Sequence, residues 1–147
     1  WFWNNIDCQS IFNTCNFLIW HKLNPPPRIY KNSFLHSCEM IVCAWDRGHT
    51  WNFTNQQEMH NFIESKICMK PERLEHPTQK PLRIMKHIIK IASKPGDIVL
   101  DCFAGTATVG VAALLMKRKY YLVENNQKYY QMASDRLTRA KKRLGVI

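Results

Sequence analysis

The chain has 147 residues, of which 46% are hydrophobic, and its 21 Lys and Arg outweigh 11 Asp and Glu to give a formal net charge of +10. The length fits one domain with a sizeable core, and no apolar run is long enough for a transmembrane helix. The positive excess favours a polyanionic partner, usually nucleic acid. The alternative is that the charge only keeps the chain soluble.

The six cysteines, at positions 8, 15, 38, 43, 68 and 102, form no CxxC pair and have no zinc-finger spacing with histidine. We therefore predict reduced thiols, no metal site and an intracellular protein. No signal peptide is recognisable, and the sequence starts at Trp1 inside an apolar segment. We expect it to be incomplete at its N-terminus.

The first half of the chain predicts two strands and two loops. Apolar segments at residues 16–20 and 39–45 are typical of buried strands. Three consecutive prolines between them favour an extended loop, and a polar loop with aromatic residues follows from position 46. Residues 56–69 are predicted to form a helix.

The second half alternates helices and strands. Pro81 suits the first turn of a helix whose apolar residues recur at helical spacing, and Pro95 and Gly96 end it. A strand "DIVLDCF", a helix "TATVGVAALLMKR", a strand "KYYLVE" and a basic C-terminal helix follow. This order predicts an α/β fold with a Rossmann-like, doubly wound, mostly parallel sheet, in which ligands bind outside the carboxyl ends of the strands.

The segment "DCFAGTA" is the candidate binding turn. Asp101 ends a strand, Gly105 permits a tight bend, and the helix that follows presents backbone N–H groups. Neither a nucleotide-triphosphate loop nor a G-x-G-x-x-G dinucleotide motif fits the spacing. The alternative is a plain strand-to-helix turn.

Glu124 ends the next strand, 23 residues after Asp101. An acid there can accept hydrogen bonds from both hydroxyls of a ribose. Together the two acids suggest an adenosine-containing ligand without a large phosphate group. The alternative for Glu124 is an exposed acid at a strand end.

The chain resembles the S-adenosylmethionine-dependent amino-methyltransferases of DNA. The motifs "HPTQKP" (76–81), "VLDCFAGTATVG" (99–110) and "YYLVENNQKYYQMASDRL" (120–137) carry the resemblance. "LIWHKLNPPP" and "NSFLHSCEMIVCAW" extend it more weakly across most of the chain. The order is similar to the permuted group in which the cofactor turn follows the catalytic tetrapeptide, so the resemblance implies a C-terminal portion.

The resemblance implies S-adenosyl-L-methionine as cofactor and a role for each matching position. The turn would wrap its methionine and ribose, Glu124 would hold the ribose hydroxyls, and Asn125 would lie beside the adenine. Lys80, at the mouth of the pocket, could pair with the methionine carboxylate or remain a solvated lysine. The implied cofactor-binding residues are His76, Thr78, Lys80, Asp101, Phe103, Ala104, Gly105, Thr106, Ala107, Glu124 and Asn125.

The resemblance further implies a single methyltransferase domain over residues 1–147, with its cofactor-binding half at 76–147 and a short target-recognition loop region at 46–73. In that region Arg47, His49, Trp51 and Asn52 could reach bases or phosphates of double-stranded DNA. A homodimer or the absent N-terminal portion would complete the sheet. The expected location is the cytoplasm of a bacterium or a phage-infected cell, with no membrane partner.

Two departures from the family pattern are visible. Ala107 stands where the family has a second glycine, which matters if that position needs a positive φ. The catalytic tetrapeptide is absent; the segment "NPPPR" offers no aromatic residue at the required place and is predicted to be a loop. We therefore assign no catalytic residue to this chain and expect the tetrapeptide upstream.

The resulting hypothesis is a site-specific DNA methyltransferase of restriction–modification type that methylates adenine N6, or less favoured, cytosine N4, of which this chain is an inactive fragment. The alternatives are a non-catalytic or degenerate nucleic-acid-binding subunit and a small-molecule methyltransferase on the same fold.

Overall fold

A computed structural model describes residues 12–146 of the chain. The chain divides into two compact units, with the boundary between Lys66 and Ile67. Each unit has its own sheet.

The first unit contains a three-stranded sheet in the order β2-β1-β3. Strand β1 (Thr14–Lys22) pairs antiparallel with β2 (Cys38–Trp45) and parallel with β3 (Phe62–Ser65). Leu18 and Trp20 alternate onto the buried face of β1, as the period of a strand requires. The Trp20 indole N–H donates to the Ser65 carbonyl at 3.3 Å, which joins β1 to the end of β3.

The predictions for the first unit are confirmed except one. Both predicted strands form, and the proline-rich segment adopts no helix or strand, as expected of a loop. The predicted helix at 56–69 is wrong: residues 56–59 form only a turn, and β3 follows. Phe62 and Ile63 suit either periodicity, and pairing with β1, distant in sequence, decides for the strand.

The second unit alternates helices and strands as predicted. Helix α1 (Leu82–Ala92) precedes strand β4 (Ile98–Asp101), helix α2 (Thr108–Leu115), strand β5 (Lys119–Leu122) and helix α3 (Gln127–Arg143). β4 and β5 pair in parallel, so their carboxyl ends lie at the same edge. An α/β fold with parallel strands is thus confirmed, while β1 and β2 form an antiparallel pair.

The core of the second unit forms where α1 and α2 meet. Ile89, Ala112 and Ala113 are buried there and are covered by half-buried apolar side chains from α1, α2, β4 and β5. Gly110 permits a close approach of α2 to β5, because a Cβ at this position would lie 2.5 Å from the Cδ1 of Leu122, the last residue of β5. The packing sets the position of the turn between β4 and α2.

The cysteines that the structure describes are all free: Cys15, Cys38, Cys43, Cys68 and Cys102. The predicted redox state of the thiols stays a prediction, and Cys8 lies outside the described residues. Within residues 12–146 no helix has the length and apolar character needed to cross a membrane.

Candidate cofactor site

The turn after β4 is held on both sides by backbone hydrogen bonds. The Phe103 N–H donates to Asp101 Oδ1 at 3.0 Å, so the acid that ends the strand also shapes the bend. The Ala104 N–H donates to the carbonyl of Val123 at 2.9 Å, just beyond β5. The turn is therefore fastened at the carboxyl edge of the parallel pair, where ligands of such sheets bind.

Glu124 connects this turn to the start of α3. Its Oε2 accepts from the Gly105 N–H at 2.7 Å, and its Oε1 accepts from the Asn126 N–H at 2.9 Å. The bonds from Asn126 and then Gly105, with a smaller contribution from His76, hold the pKa of Glu124 below its ordinary value. The carboxylate is ionised at neutral pH and retains lone pairs that can accept further hydrogen bonds.

Gly105 lies directly beside the His76 ring. Its φ of +52° is in the left-handed region, and a Cβ there would lie 3.1 Å from the His76 Nε2. The His76 ring packs against Tyr129, with centroids 4.4 Å apart, and its Nδ1 accepts from the Thr78 N–H at 3.3 Å. Because Nδ1 accepts, the neutral ring carries its hydrogen on Nε2, the atom nearest Gly105.

A cavity of about 190 Å³ opens at this turn and gathers most of the predicted residues. Eight of the eleven line it: His76, Thr78, Lys80, Asp101, Phe103, Ala104, Gly105 and Thr106. The other three do not: Ala107 is buried within the bend, Glu124 bonds to the turn as described, and Asn125 is exposed after β5.

The sequence missed four lining residues, which are Gln79, Met85, Thr108 and Val109. Gln79, Thr108 and Val109 lie within the motifs that carry the family resemblance, whereas Met85 lies outside them. The sequence also missed Arg136, whose guanidinium bonds to Thr106 and Thr108. Nothing in the linear pattern of α3 distinguished this arginine from its exposed neighbours.

Ala107 adopts the left-handed conformation, with φ +57° and ψ +38°, and is fully buried. The sequence left open whether this position requires a positive φ, and the structure has one. Residues other than glycine, asparagine and aspartate are rarely found there, at a strain of about 1 kcal/mol. Ala107 therefore departs from the family pattern at a position where glycine is the unstrained choice.

A larger cavity, of about 420 Å³, lies elsewhere in the second unit and shares no residue with the one at the turn. Leucines and three arginines of α3 are prominent in its lining. The smaller cavity is the candidate site, because it adjoins the carboxyl end of β4 and the backbone N–H groups of the bend. Within residues 12–146 no group of three or more His, Cys, Asp or Glu could hold a metal ion.

The four residues predicted to contact DNA lie in the loop after β2. Arg47 and His49 are exposed, whereas Trp51 and Asn52 are half-buried. The Trp51 ring meets both Trp45 and His49 edge to face, with centroids 5.1 Å apart in each pair. Trp51 thus anchors this loop to the end of β2, and the predicted DNA contacts themselves stay a prediction.

Comparison with known proteins gives the family. The family model described as "DNA methylase", for N6- and N4-methyltransferases, matches residues 4–135. The chain is 32% identical over 143 residues to the Type II methyltransferase M2.LlaDCHI of Lactococcus lactis subsp. cremoris, which covers 89% of this chain and 53% of that protein. The chain spans about half the length of these curated relatives that it matches.

Solved structures of DNA methyltransferases are also similar to this chain. The chain is similar to the M1.HpyAVI–SAM complex, with a TM-score of 0.73 and 33% identity, over 83% of this chain and 61% of that one. It shares the fold of the cytosine-N4-specific PvuII DNA methyltransferase, with a TM-score of 0.67 at 16% identity, over 87% of this chain and 56% of that one. With the family match extending over most of its length, the chain belongs to the N6/N4 DNA methylase family.

Proposed function

We propose that this chain forms the cofactor-binding part of a site-specific DNA methyltransferase. The reaction transfers a methyl group from S-adenosyl-L-methionine to an exocyclic amino group, N6 of adenine or N4 of cytosine, with adenine as the expected target. The single observation that carries the proposal is the Glu124 carboxylate, which accepts from the N–H groups of both Gly105 and Asn126 beside the cavity.

The residues at the turn fit this cofactor. Glu124 is fixed by two N–H groups and keeps lone pairs free for the ribose hydroxyls. The missing side chain of Gly105 leaves room between the backbone and the His76 ring, which a Cβ would fill. The Phe103 side chain is 92% exposed and offers an aromatic face next to the cavity.

Each predicted residue then has a role in binding rather than in bond making. The bend from Asp101 to Ala107 holds the methionine and ribose, and Asn125 lies beside the adenine. His76, Thr78 and Lys80 form the mouth, where Lys80 pairs with the carboxylate of the cofactor. When bound, S-adenosyl-L-methionine supplies an electrophilic methyl group on a positively charged sulfur.

No residue of this chain is assigned to activation of the target amine. We place that role in an upstream tetrapeptide, whose aromatic residue stacks on the flipped base. The chain alone should accordingly transfer little or no methyl to DNA, and robust incorporation of labelled methyl by these 147 residues would show that the catalytic residues are among them.

Double-stranded DNA is the proposed partner, and the enzyme is proposed to act in the cytoplasm. The net charge of +10 favours a polyanion, and Arg47 and His49 are exposed where they can reach phosphates or base edges. The apolar side chains of Ile98, Leu100 and Tyr121 are 59%, 63% and 65% exposed. A homodimer or a preceding portion of the protein that completes the sheet would cover them.

Titration calorimetry with S-adenosyl-L-methionine tests the cofactor part. The wild-type chain should release heat and gain thermal stability, and Glu124→Gln should weaken binding at least tenfold, since an amide cannot accept from both N–H groups and a ribose. Glu75→Gln is the matched control, because Glu75 is exposed and its carboxylate pairs with the Lys128 ammonium at 3.1 Å. Equal binding by wild type and Glu124→Gln would contradict the proposed site.

A second candidate is a non-catalytic, nucleic-acid-binding subunit, which the strained Ala107 favours over a working cofactor turn. Such a protein would show salt-dependent binding to a DNA duplex in gel shifts and no heat with the cofactor. The proposed enzyme part should show both. A chain that binds the cofactor but shows no salt-dependent DNA binding would instead indicate a small-molecule methyltransferase.

A further inference from the structure

Arg136 bonds to the residues on both sides of the strained Ala107. It projects from α3, and its side chain is only 12% exposed. Its Nη1 donates to the Thr106 carbonyl at 3.1 Å, to Thr106 Oγ1 at 3.3 Å and to Thr108 Oγ1 at 2.9 Å. One guanidinium nitrogen therefore bonds to Thr106, which precedes Ala107, and to Thr108, which follows it and begins α2.

Glu72 fixes the other side of the guanidinium. Its Oε1 lies 3.6 Å from the Arg136 Nη2 and accepts from the N–H of Leu82, the first residue of α1, at 2.7 Å. A buried guanidinium without an anionic partner would be costly. The Glu72 carboxylate thus keeps Arg136 charged and in place while it bonds to the start of α1.

A left-handed alanine persists only where its surroundings hold it. The Ala107 N–H donates to the Ala104 carbonyl at 2.7 Å, but that bond alone closes only a local turn. Thr106 and Thr108 both line the candidate cavity, so a relaxation of Ala107 toward a common conformation would move two of its walls. The bonds from Arg136 oppose that relaxation.

We propose that Arg136 is a positioning residue for the cofactor turn, which keeps Ala107 left-handed by holding Thr106 and Thr108. The inference rests on the proposed binding of S-adenosyl-L-methionine at this turn. Arg136 touches no reacting group and acts through the shape of the bend. A glycine at position 107 would adopt this conformation without such support. Because the residue is alanine, the bonds from Arg136 are needed to maintain it.

The test compares Arg136→Gln with Arg139→Gln, one helical turn further along α3, where Arg139 is exposed and donates its Nε to the Asp135 carbonyl. By calorimetry, well below the melting temperature, Arg136→Gln should bind S-adenosyl-L-methionine about tenfold more weakly, and Arg139→Gln should bind like wild type. Exchange of the Ala107 amide hydrogen with solvent should be faster in Arg136→Gln only.

The same substitution in an Ala107→Gly background separates positioning from general stability. Glycine adopts a positive φ without being held, so Arg136→Gln should cost about threefold or less in affinity there. A merely structural arginine would lower the melting temperature equally in both backgrounds and leave affinity unchanged in each, which would overturn the proposal.

A second variant and a second measurement cover the cases in which Arg136→Gln does not fold or the wild type binds no cofactor. If Arg136→Gln does not fold, Thr108→Val, which removes the acceptor at 2.9 Å and keeps the size of the side chain, should weaken binding about threefold, and unchanged affinity would count against the proposal. If the wild type binds no cofactor, the proposed function fails. Exchange of the Ala107 amide then still decides whether Arg136 holds the bend.

Discussion

The two units of the chain hold their candidate contact residues by different means. In the second unit, short hydrogen bonds between backbone N–H groups and carboxylates fix the turn, as Asp101 and Glu124 show. In the first unit, the loop after β2 is anchored by packing of Trp51 on Trp45, and Arg47 remains exposed. A preorganised site suits a small cofactor of fixed shape, whereas an anchored loop with exposed charges suits a partner that is contacted over a larger surface.

Among the substitutions considered, Gly105→Ala should have the largest effect on stability and on cofactor binding. It tests how rigid the turn is. It forces an alanine to φ +52° and places its Cβ 3.1 Å from the His76 ring. We expect a loss of about 2 kcal/mol in the free energy of unfolding, measured with urea, and loss of detectable cofactor binding.

Gly48→Ala is the matched control in the first unit. Gly48 also has a positive φ, +89°, but no atom of the described residues beyond its own chain neighbours lies within 4 Å of the position of its Cβ. The substitution should introduce only backbone strain. The free energy of unfolding should therefore fall by about 1 kcal/mol, and cofactor affinity should not change. Equal losses in both variants would mean that the His76 contact has no part in the rigidity of the turn.

Trp51→Ala should release the loop of the first unit. The edge-to-face contacts with Trp45 and His49 disappear, and the half-buried ring is lost. We expect the free energy of unfolding to fall by about 1.5 kcal/mol and DNA binding in gel shifts to weaken, with cofactor affinity unchanged. Phe53→Ala serves as control, since that ring is 58% exposed and its removal should cost about 0.5 kcal/mol or less. Weaker cofactor binding in Trp51→Ala would contradict the expectation that the loop after β2 does not affect the cofactor turn.

The sequence predicted the second unit well because its information is local. The order of helices and strands followed from periodicity, and the cofactor turn from an acid, a glycine and a helix start within a few residues. The sequence predicts that Glu124 accepts from ribose hydroxyls, which stays a prediction, but it gave no sign of the bonds from Gly105 and Asn126. These bonds depend on how β5 lies beside β4, which no local pattern contains.

The sequence failed where distant residues decide the structure. The predicted helix at 56–69 is wrong because residues 62–65 pair as β3 with β1, which lies more than 40 residues away in the paired register. In the sequence, Arg136 is one of several cations on a basic helix, and only the fold places its guanidinium beside Thr106. The conformation of Ala107 was undetermined for the same reason, since surrounding contacts and not its own preference hold it there.

Ala107→Gly should stabilise the chain. Glycine adopts φ +57° without the strain of a Cβ, so the free energy of unfolding should rise by about 1 kcal/mol in urea titrations. Cofactor titration of the same variant shows whether the alanine methyl crowds the site. Clearly tighter binding supports crowding, and unchanged affinity with raised stability means that the methyl is accommodated. A variant less stable than the wild type would contradict the strain assigned to Ala107.

The smallest effect on stability is expected when the pH is lowered and Glu124 becomes protonated. The bonds from Asn126 and Gly105 lower the pKa of Glu124 below the ordinary 4.5, so the folded state binds its proton less readily than the unfolded chain. Its contribution is fully present above pH about 4.5 and is lost as the pH falls through the lower value of the folded state. Because the carboxylate is accessible to water, the contribution is small. Urea unfolding between pH 7 and pH 3 should therefore show that the stability advantage of wild type over Glu124→Gln narrows as the pH falls. A difference that does not narrow would mean that packing of the side chain, and not its charge, holds the turn.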